Sequence, residues 1–184
     1  MDEALAALVA TDLRRNLEAR APNARDVYGF SLWADDIEGD FLASFATEAE
    51  FERQRRFPAY ASRPVEVLFA PGGLRWSVGD WLKFPDDDFM TEETKRALKP
   101  LVSRLTDDTL TDAELEAACA RWRELAFAVF ELAQPLEVLP CTDDAIAFVT
   151  FPDRTVEEQL EVMSRTVPAS RLQATFPDWR RLGD

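Results

Sequence analysis

The sequence predicts an α+β fold in a single domain that spans residues 1–184. Apolar and polar residues alternate along residues 26–47, on either side of a short acidic turn, as in a β-hairpin. Several later segments carry apolar residues at helical spacing, and three segments begin with a capping box. An apolar run at residues 145–151 predicts one more strand. We therefore expect a mixed or antiparallel sheet, built on the N-terminal hairpin and packed by several helices.

The hairpin is predicted from a period of two in each of its strands, at residues 27–34 and 41–46. Gly39 lies in the acidic turn between them, where a tight reversal favours glycine. Residues of alternating positions point to the same face of a sheet. The residues expected to share the core face are Tyr28, Phe30, Leu32 and Ala34 in the first strand and Phe41, Ala43 and Phe45 in the second.

The helices are predicted from apolar stripes at a spacing of three and four residues. The expected ranges are 3–20, 47–57, 91–105, 112–133 and 155–163. The capping boxes, in which a threonine hydroxyl and a glutamate three residues later bond to each other's backbone, pair Thr47 with Glu50, Thr111 with Glu114 and Thr155 with Glu158. One more turn is expected in residues 167–179, docked by Leu172, Phe176 and Trp179.

The core is expected to include Phe30 and Trp122, and helix 112–133 should pack on the sheet. Residues 145–151 are apolar on both faces, which predicts a central strand covered on each side. Residues 65–69 are interpreted as a short strand, with residues 74–76 returning as its partner after a Pro-Gly-Gly turn. The conformation of the wider stretch 58–90 stays open at this point.

The composition excludes several kinds of partner and of catalytic site. The formal net charge is −14, the pI is about 4.5, and there is no histidine. Such a charge opposes binding to nucleic acid and to anionic membranes. The absence of histidine removes the commonest metal ligand and the usual general base. We expect no metal, no cofactor and no catalytic residue. With no membrane-spanning run and no secretory signal at the N-terminus, we expect a cytoplasmic protein.

Two cysteines, Cys119 and Cys141, share no short spacing that would indicate a metal or redox motif. In a reducing compartment they are expected to be buried free thiols. A regulatory disulfide between them is the alternative.

Two kinds of candidate binding residues remain. Trp76 and Trp81 are interpreted as packing anchors joined by a turn, with an exposed aromatic platform for a ligand as the alternative. Acidic clusters are candidates for contact with a basic protein partner. The clusters are Asp35, Asp36 and Glu38 in the hairpin turn and Asp86, Asp87 and Asp88 further along the chain.

Several of these segments resemble one family. The strand Tyr28-Gly-Phe-Ser-Leu32 and the segment Trp76-Ser-Val-Gly-Asp-Trp81 are similar to the Tyr-x-Phe-x-Leu and Trp-Ser-Pro-x-Glu-Trp motifs of the bacterial domain-of-unknown-function family 4303. Val78 replaces the family's proline and Asp80 its glutamate. The resemblance extends over most of the chain. It implies an α+β fold and brings no established activity with it.

Three classes of function stay open from the sequence. The first is a non-catalytic acidic module that binds a basic protein partner, as immunity proteins bind toxins, an analogy that rests on fold class and charge. The second is a scaffold that acts by self-association, with a homo-oligomer as its consequence. The third is a hydrolase or transferase that uses only carboxylates, such as the pairs Asp35/Asp36, Asp86/Asp87 or Asp143/Asp144.

Overall fold

The computed structural model describes residues 3–83 and 89–177, with the side chains at positions 80, 82 and 83 left out. Within these residues four strands form one mixed sheet in the order β3-β2-β1-β4. Antiparallel pairs join β1 to β2 and β2 to β3, whereas β4 runs parallel to β1. The strands are β1 (Val27–Asp35), β2 (Asp40–Thr47), β3 (Leu82–Lys83) and β4 (Cys141–Thr150). The prediction that residues 27–34, 41–46 and 145–151 share one sheet is confirmed.

The helices follow the predicted stripes with shifted ends. They are α1 (Glu3–Arg20), α2 (Glu48–Gln54), α3 (Pro58–Ala61), α4 (Val65–Phe69), α5 (Glu92–Leu105), α6 (Asp112–Ala133), α7 (Pro135–Val138), α8 (Val156–Met163) and α9 (Ala169–Thr175). Short 3-10 turns occupy Ala21–Asn23, Leu74–Trp76 and Val78–Asp80. No helix among the described residues is long and apolar enough to cross a membrane.

Capping explains where several helices begin. Both reciprocal bonds of the capping box form at Thr111 and at Thr155. At Thr47 the hydroxyl accepts from the backbone N–H of Glu50 at 3.3 Å, which is one half of the predicted box. Each such bond satisfies a donor that the first turn of a helix leaves unpaired.

Helices cover both faces of the sheet. One core cluster lies between the sheet and α1, α5 and α6, and it contains Phe30 and Trp122, both fully buried as predicted. A second cluster on the opposite face collects side chains from α2, α4, α8 and α9. β4 therefore buries residues on both faces, yet it is an edge strand of the sheet and not the predicted central one. An apolar run in a strand indicates that helices cover both of its faces. It carries no information on the position of the strand in the sheet.

Tyr28 lies on the opposite face from the one predicted. The register of β1 shifts between Val27 and Gly29, so Val27 and Phe30 both face the first cluster while Tyr28 joins the second. A bulge of this kind adds one residue to a strand and reverses the alternation before it. Gly29 permits the close approach of Trp81, because a Cβ at this position would lie 2.7 Å from the indole atom Cη2. The alternation holds at the other predicted core positions of the hairpin.

The predicted strand pair at residues 65–69 and 74–76 is wrong. Residues 65–69 form α4, and residues 74–76 form a 3-10 turn. Pro64 opens the helix, and its carbonyl accepts from the backbone N–H groups of Val67 and Leu68. The helix buries Leu68 and leaves Val65 and Val67 exposed. A short apolar run fits a strand or a helix equally well, and its packing decides between them. In the C-terminal segment Leu172 and Phe176 are buried as expected, and Trp179 lies outside the described residues.

A buried carboxylate ties α1 to the start of α5. Oδ2 of Asp12 accepts from the Thr91 backbone N–H at 2.7 Å and from the hydroxyls of Thr91 and Thr94 at 2.8 and 2.6 Å. Burial by itself raises the pKa of Asp12. The hydrogen bonds from Thr94 and Thr91 and the charge of Arg15 outweigh burial and hold the pKa below its usual range. The ionised form is therefore the one that the fold stabilises.

Replacing Asp12 with asparagine is expected to lower the free energy of unfolding by about 1–3 kcal/mol at pH 7, because buried donors lose a charged acceptor. The folded pKa lies below the unfolded one. The contribution of the carboxylate is thus fully present above about pH 4 and disappears as the pH falls through the folded pKa. Urea unfolding of both proteins at several pH values measures this. A difference between them that stays constant down to pH 3 would contradict the assignment.

Candidate functional site

A cleft opens at the carboxyl ends of the parallel strands β1 and β4, where Trp33 pairs with Thr150. In open sheets with parallel strands, ligands bind outside this end of the strands. The cleft has a volume of about 250 Å³. Its lining residues come from β1, β4, α8, the loop before α8 and the 3-10 turns that precede β3. They include Trp33, Trp76, Val78, Phe148, Thr150, Phe151, Asp153, Arg154, Val156, Gln159, Leu160, Met163 and Phe176.

Aromatic rings form one part of the cleft wall and hold one another in place. The ring of Trp76 meets that of Phe176 edge to face, with 5.4 Å between centroids. Behind it, Trp81 packs edge to face on Phe148 at 5.7 Å and on Tyr28 at 6.1 Å. Such edge-to-face pairs are the preferred geometry of aromatic side chains. The wall is therefore a fixed apolar surface.

The guanidinium of Arg75 anchors this wall from behind. The side chain is buried, and it donates to both oxygens of Glu48 at 2.9 and 2.6 Å. Its Cζ lies 3.9 Å from the ring centroid of Tyr28, a cation–π contact. Burial raises the pKa of the Tyr28 phenol, so the ring next to Arg75 is neutral. The backbone carbonyl of Arg75 accepts from Trp81 Nε1 at 3.0 Å.

The two tryptophans therefore differ in what they offer. Trp81 is only 4% exposed and serves as a packing anchor, so it offers no surface to a ligand. Trp76 is half-buried and lines the cleft. Its indole N–H is buried with no acceptor among the residues described. The two rings therefore do not form an exposed platform. Trp76 alone forms part of the concave wall of the cleft.

A few polar groups converge on the apolar cleft. Nη2 of Arg154 donates to Asp36 at 3.0 Å, and its other nitrogens have no partner in the described part of the chain. Gln159 donates through Nε2 to the carbonyl of Val149 at 3.1 Å, which leaves its carboxamide oxygen without a donor there. Asp153 adopts a positive φ of 54°, uncommon outside glycine and tolerated best by aspartate and asparagine. An apolar cavity with a few convergent polar groups is typical of a ligand-binding site.

The acidic hairpin turn, residues 35–39, lies at the same end of the sheet as the cleft. Oδ1 of Asp35 accepts from the backbone N–H groups of Ile37 and Glu38 at 2.8 and 2.9 Å, which shapes the turn. Asp36 is only 6% exposed, and its carboxylate pairs with Arg123 at 3.2 Å and with Arg154. The sequence predicts Asp36 as a contact for a basic partner. In the fold its carboxylate is buried against two arginines, so it is not part of an exposed acidic surface. Glu38 is exposed. Asp86, Asp87 and Asp88 lie outside the described residues.

Exposed carboxylates lie on the elements next to the cleft. We call Glu38 of the hairpin turn, Asp153, and Glu157 and Glu161 of α8 the acidic rim; Asp153 lines the cleft, and Glu161 lines the neighbouring groove. All four are exposed and have no ion-pair partner within the residues described. The arginines nearby are already paired, Arg123 with Asp36 and Glu116 and Arg165 with Glu124 at 2.9 Å. The unpaired charges on the elements next to the cleft are therefore negative, although arginines are numerous there.

The cysteines are free and half-buried. Burial raises the pKa of the Cys141 thiol to about 11. Burial and the neighbouring Asp36 also raise the pKa of Cys119. Both are therefore protonated at neutral pH and poor nucleophiles. Cys141 lies beside Val27 at one end of β1, and Cys119 contacts the Asp36 carbonyl beyond the other end, so roughly 25 Å separates them. A disulfide between them does not fit this fold.

A metal site needs several ligand side chains close together in space. No group of three or more cysteine, aspartate or glutamate residues in the described ranges could hold a metal ion.

Several residues that converge on the cleft, such as Thr150, Arg154 and Gln159, were not predicted from the sequence. The available signal was the Phe-Pro-Asp-Arg segment at the end of β4, a break directly after a strand, where loops that carry binding residues begin.

The family described as "Domain of unknown function (DUF4303)" matches residues 4–165. This match bears out the resemblance drawn from residues 28–32 and 76–81, and it includes every residue that lines the cleft except Phe176. No match was found among curated proteins or among solved structures.

Proposed function

The chain belongs to the DUF4303 family, whose description carries no activity, and we propose from its own surface that it is a non-catalytic protein-binding module. The observation that supports this proposal is the aromatic-lined cleft with the acidic rim on the elements next to it. The cleft offers a preformed apolar cavity for an anchor side chain, and anchors of this kind supply most of the affinity in protein interfaces. The rim adds charge around the anchor.

The partner that fits this surface is a protein segment with an apolar anchor flanked by lysine or arginine. Asp35, Glu38 and the clustered Asp86, Asp87 and Asp88 remain candidates for contact with such basic residues. Charged rims act mainly on the association rate and on the choice of partner. The net charge of −14 increases the long-range attraction. A cytoplasmic partner, such as a basic toxin held by an immunity protein, is one form of this proposal.

Carboxylate-only catalysis has weaker support. A general acid and base need two carboxyl groups that face one substrate. Asp35 shapes the turn and Asp36 pairs with two arginines. Asp143 and Asp144 are exposed at the opposite end of β4 from the cleft. None of these residues is placed with a second carboxyl group inside the cleft.

Self-association is a second candidate function with its own observation. Phe57, Val65 and Val67 are each about half exposed, on and beside the short helices α3 and α4. Clustered exposed apolar residues mark interaction surfaces. A dimer built on them would show a doubled mass in sedimentation at micromolar concentration, and Val65→Asp with Val67→Asp would return the monomer.

The test of partner binding is a capture experiment from the native host at low and high salt. The variant Glu38→Gln, Glu157→Gln and Glu161→Gln removes three rim charges. Its control, Glu137→Gln, Asp143→Asn and Asp144→Asn, removes three exposed charges near the amino end of β4. We expect the rim variant to slow association several-fold at low salt, and the difference to vanish at high salt because screening removes it.

Equal losses in the two variants would show that only total charge matters and would refute the role of the rim. A separate variant with Asp86, Asp87 and Asp88 changed to asparagine tests the second acidic cluster in the same assay. If every variant captures the same partner with the same salt dependence, the acidic residues take no part in recognition.

A further inference from the structure

We propose that the cleft receives the side chain of a tyrosine, whose phenol oxygen accepts a hydrogen bond from Arg154. This inference rests on the proposed protein-binding function, because it names the anchor that the partner presents. The volume of the cleft, the aromatic rings in its wall and the hydrogen-bonding groups that remain unused there support it.

The volume and wall favour a single aromatic ring. An apolar cavity of about 150 Å³ is large enough to bind benzene, so about 250 Å³ accommodates a ring with a polar substituent. Trp33, Trp76 and Phe151 contribute rings to the wall. A bound ring can meet these in edge-to-face contacts, which add to the burial of apolar area.

The unused polar groups select among aromatic side chains. Arg154 has N–H donors without a partner in the described part of the chain. The Trp76 indole N–H also lacks an acceptor there, but its nitrogen is buried and is not open to a ligand. A guanidinium only donates. A ligand atom that meets Arg154 must therefore accept, which disfavours the indole N–H of tryptophan, a donor, and phenylalanine, which has no polar atom. A phenol oxygen accepts, and its proton can in turn be donated to the free carboxamide oxygen of Gln159.

The charge of the site disfavours an anionic ligand. The guanidinium of Arg154 is already paired with the buried carboxylate of Asp36. Asp153 lines the cleft and the other rim carboxylates lie on adjoining elements, so a second carboxylate or a phosphate would be repelled. A neutral phenol meets the donors without this repulsion. A tyrosine flanked by lysine or arginine satisfies both the cleft and the rim.

The experiment measures binding of p-cresol, the side chain of tyrosine, against toluene, the side chain of phenylalanine, by NMR titration of the full chain. We expect p-cresol to bind about ten-fold more tightly than toluene, since a hydrogen bond to a charged donor contributes on this scale. Shifts should centre on residues of β4 and α8 that line the cleft. Val156→Trp, which enlarges a half-exposed lining residue, should block both probes.

Arg154→Gln should remove the preference for p-cresol and leave toluene binding unchanged. The matched control is Arg165→Gln, an arginine that lines a neighbouring groove, pairs with Glu124 and does not line the cleft. Should Arg154→Gln fail to fold, Arg154→Lys keeps the charge next to Asp36 while losing the planar fork, and it should reduce the preference. A melting curve of Arg154→Gln shows whether this variant folds.

Absence of p-cresol binding at millimolar concentration would overturn the inference, as would equal affinity for toluene or a preference that survives in Arg154→Gln. Capture of a partner without p-cresol binding would refute the tyrosine while leaving the protein-binding proposal intact. Binding of p-cresol without capture of any partner would refute the protein-binding proposal and leave the cleft as a site for a free phenol.

Discussion

Replacing Trp122 with alanine is expected to lower the free energy of unfolding by about 3–5 kcal/mol, the range for truncating a large buried aromatic side chain. Trp122 is fully buried in the cluster between α6 and the sheet. Its ring stacks on Phe41 of β2, with centroids 4.5 Å apart. The substitution leaves a cavity at the contact that joins helix and hairpin. Urea unfolding, followed by far-UV circular dichroism, measures the loss.

The control is Trp122→Phe, which keeps a ring against Phe41. The indole N–H of Trp122 is buried and has no acceptor among the described residues, so its removal costs no hydrogen bond. We expect this variant to lose less than half as much stability as the alanine variant. A loss below about 1 kcal/mol for Trp122→Ala would contradict the burial on which the prediction rests.

Replacing Arg75 with methionine is expected to lower the free energy of unfolding by about 2–4 kcal/mol. Removing one partner of a buried ion pair costs up to about 5 kcal/mol, and Glu48 is exposed enough to regain some hydration. The methionine also loses the cation–π contacts with Tyr28 and Trp76. Because Trp76 lines the cleft, we expect the same variant to weaken binding of p-cresol.

The matched control is Arg53→Met on α2. Arg53 also pairs with a glutamate, Glu50, but its side chain is exposed. Exposed ion pairs contribute about 0–1 kcal/mol, so the free energy of unfolding of this variant should lie within about 0.5 kcal/mol of that of the parent. Similar losses of stability at the two positions would show that the burial of Arg75 adds no stability beyond that of an exposed ion pair. Arg75→Lys separates charge from geometry, since lysine cannot reproduce the bidentate contact with Glu48.

Part of the site was within reach of the sequence. Trp76 and the acidic turn at residues 35–39 were both singled out, and the fold brings them to the same end of the sheet. Their roles were not predictable. Asp36 looks like a free carboxylate in the sequence, and only the fold places Arg123 from α6 and Arg154 from the loop after β4 against it. Those partners are 87 and 118 residues away along the chain.

The sequence by itself determined the elements whose cause is local. The strand at residues 27–34 alternates from Phe30 to Ala34, Thr111 and Thr155 begin helices, and the stripe on α6 buries Trp122. These features follow from the sequence because hydrophobic period and capping depend on residues a few positions apart. Tertiary structure alone decided the side of the sheet that Tyr28 occupies, the helical state of residues 65–69, the edge position of β4 and the cleft. Each of these depends on the distant surface against which a segment packs. A bulge forms in β1 where Trp81 approaches Gly29. The short apolar run at residues 65–69 is a helix that buries one side chain, Leu68, in the second core cluster.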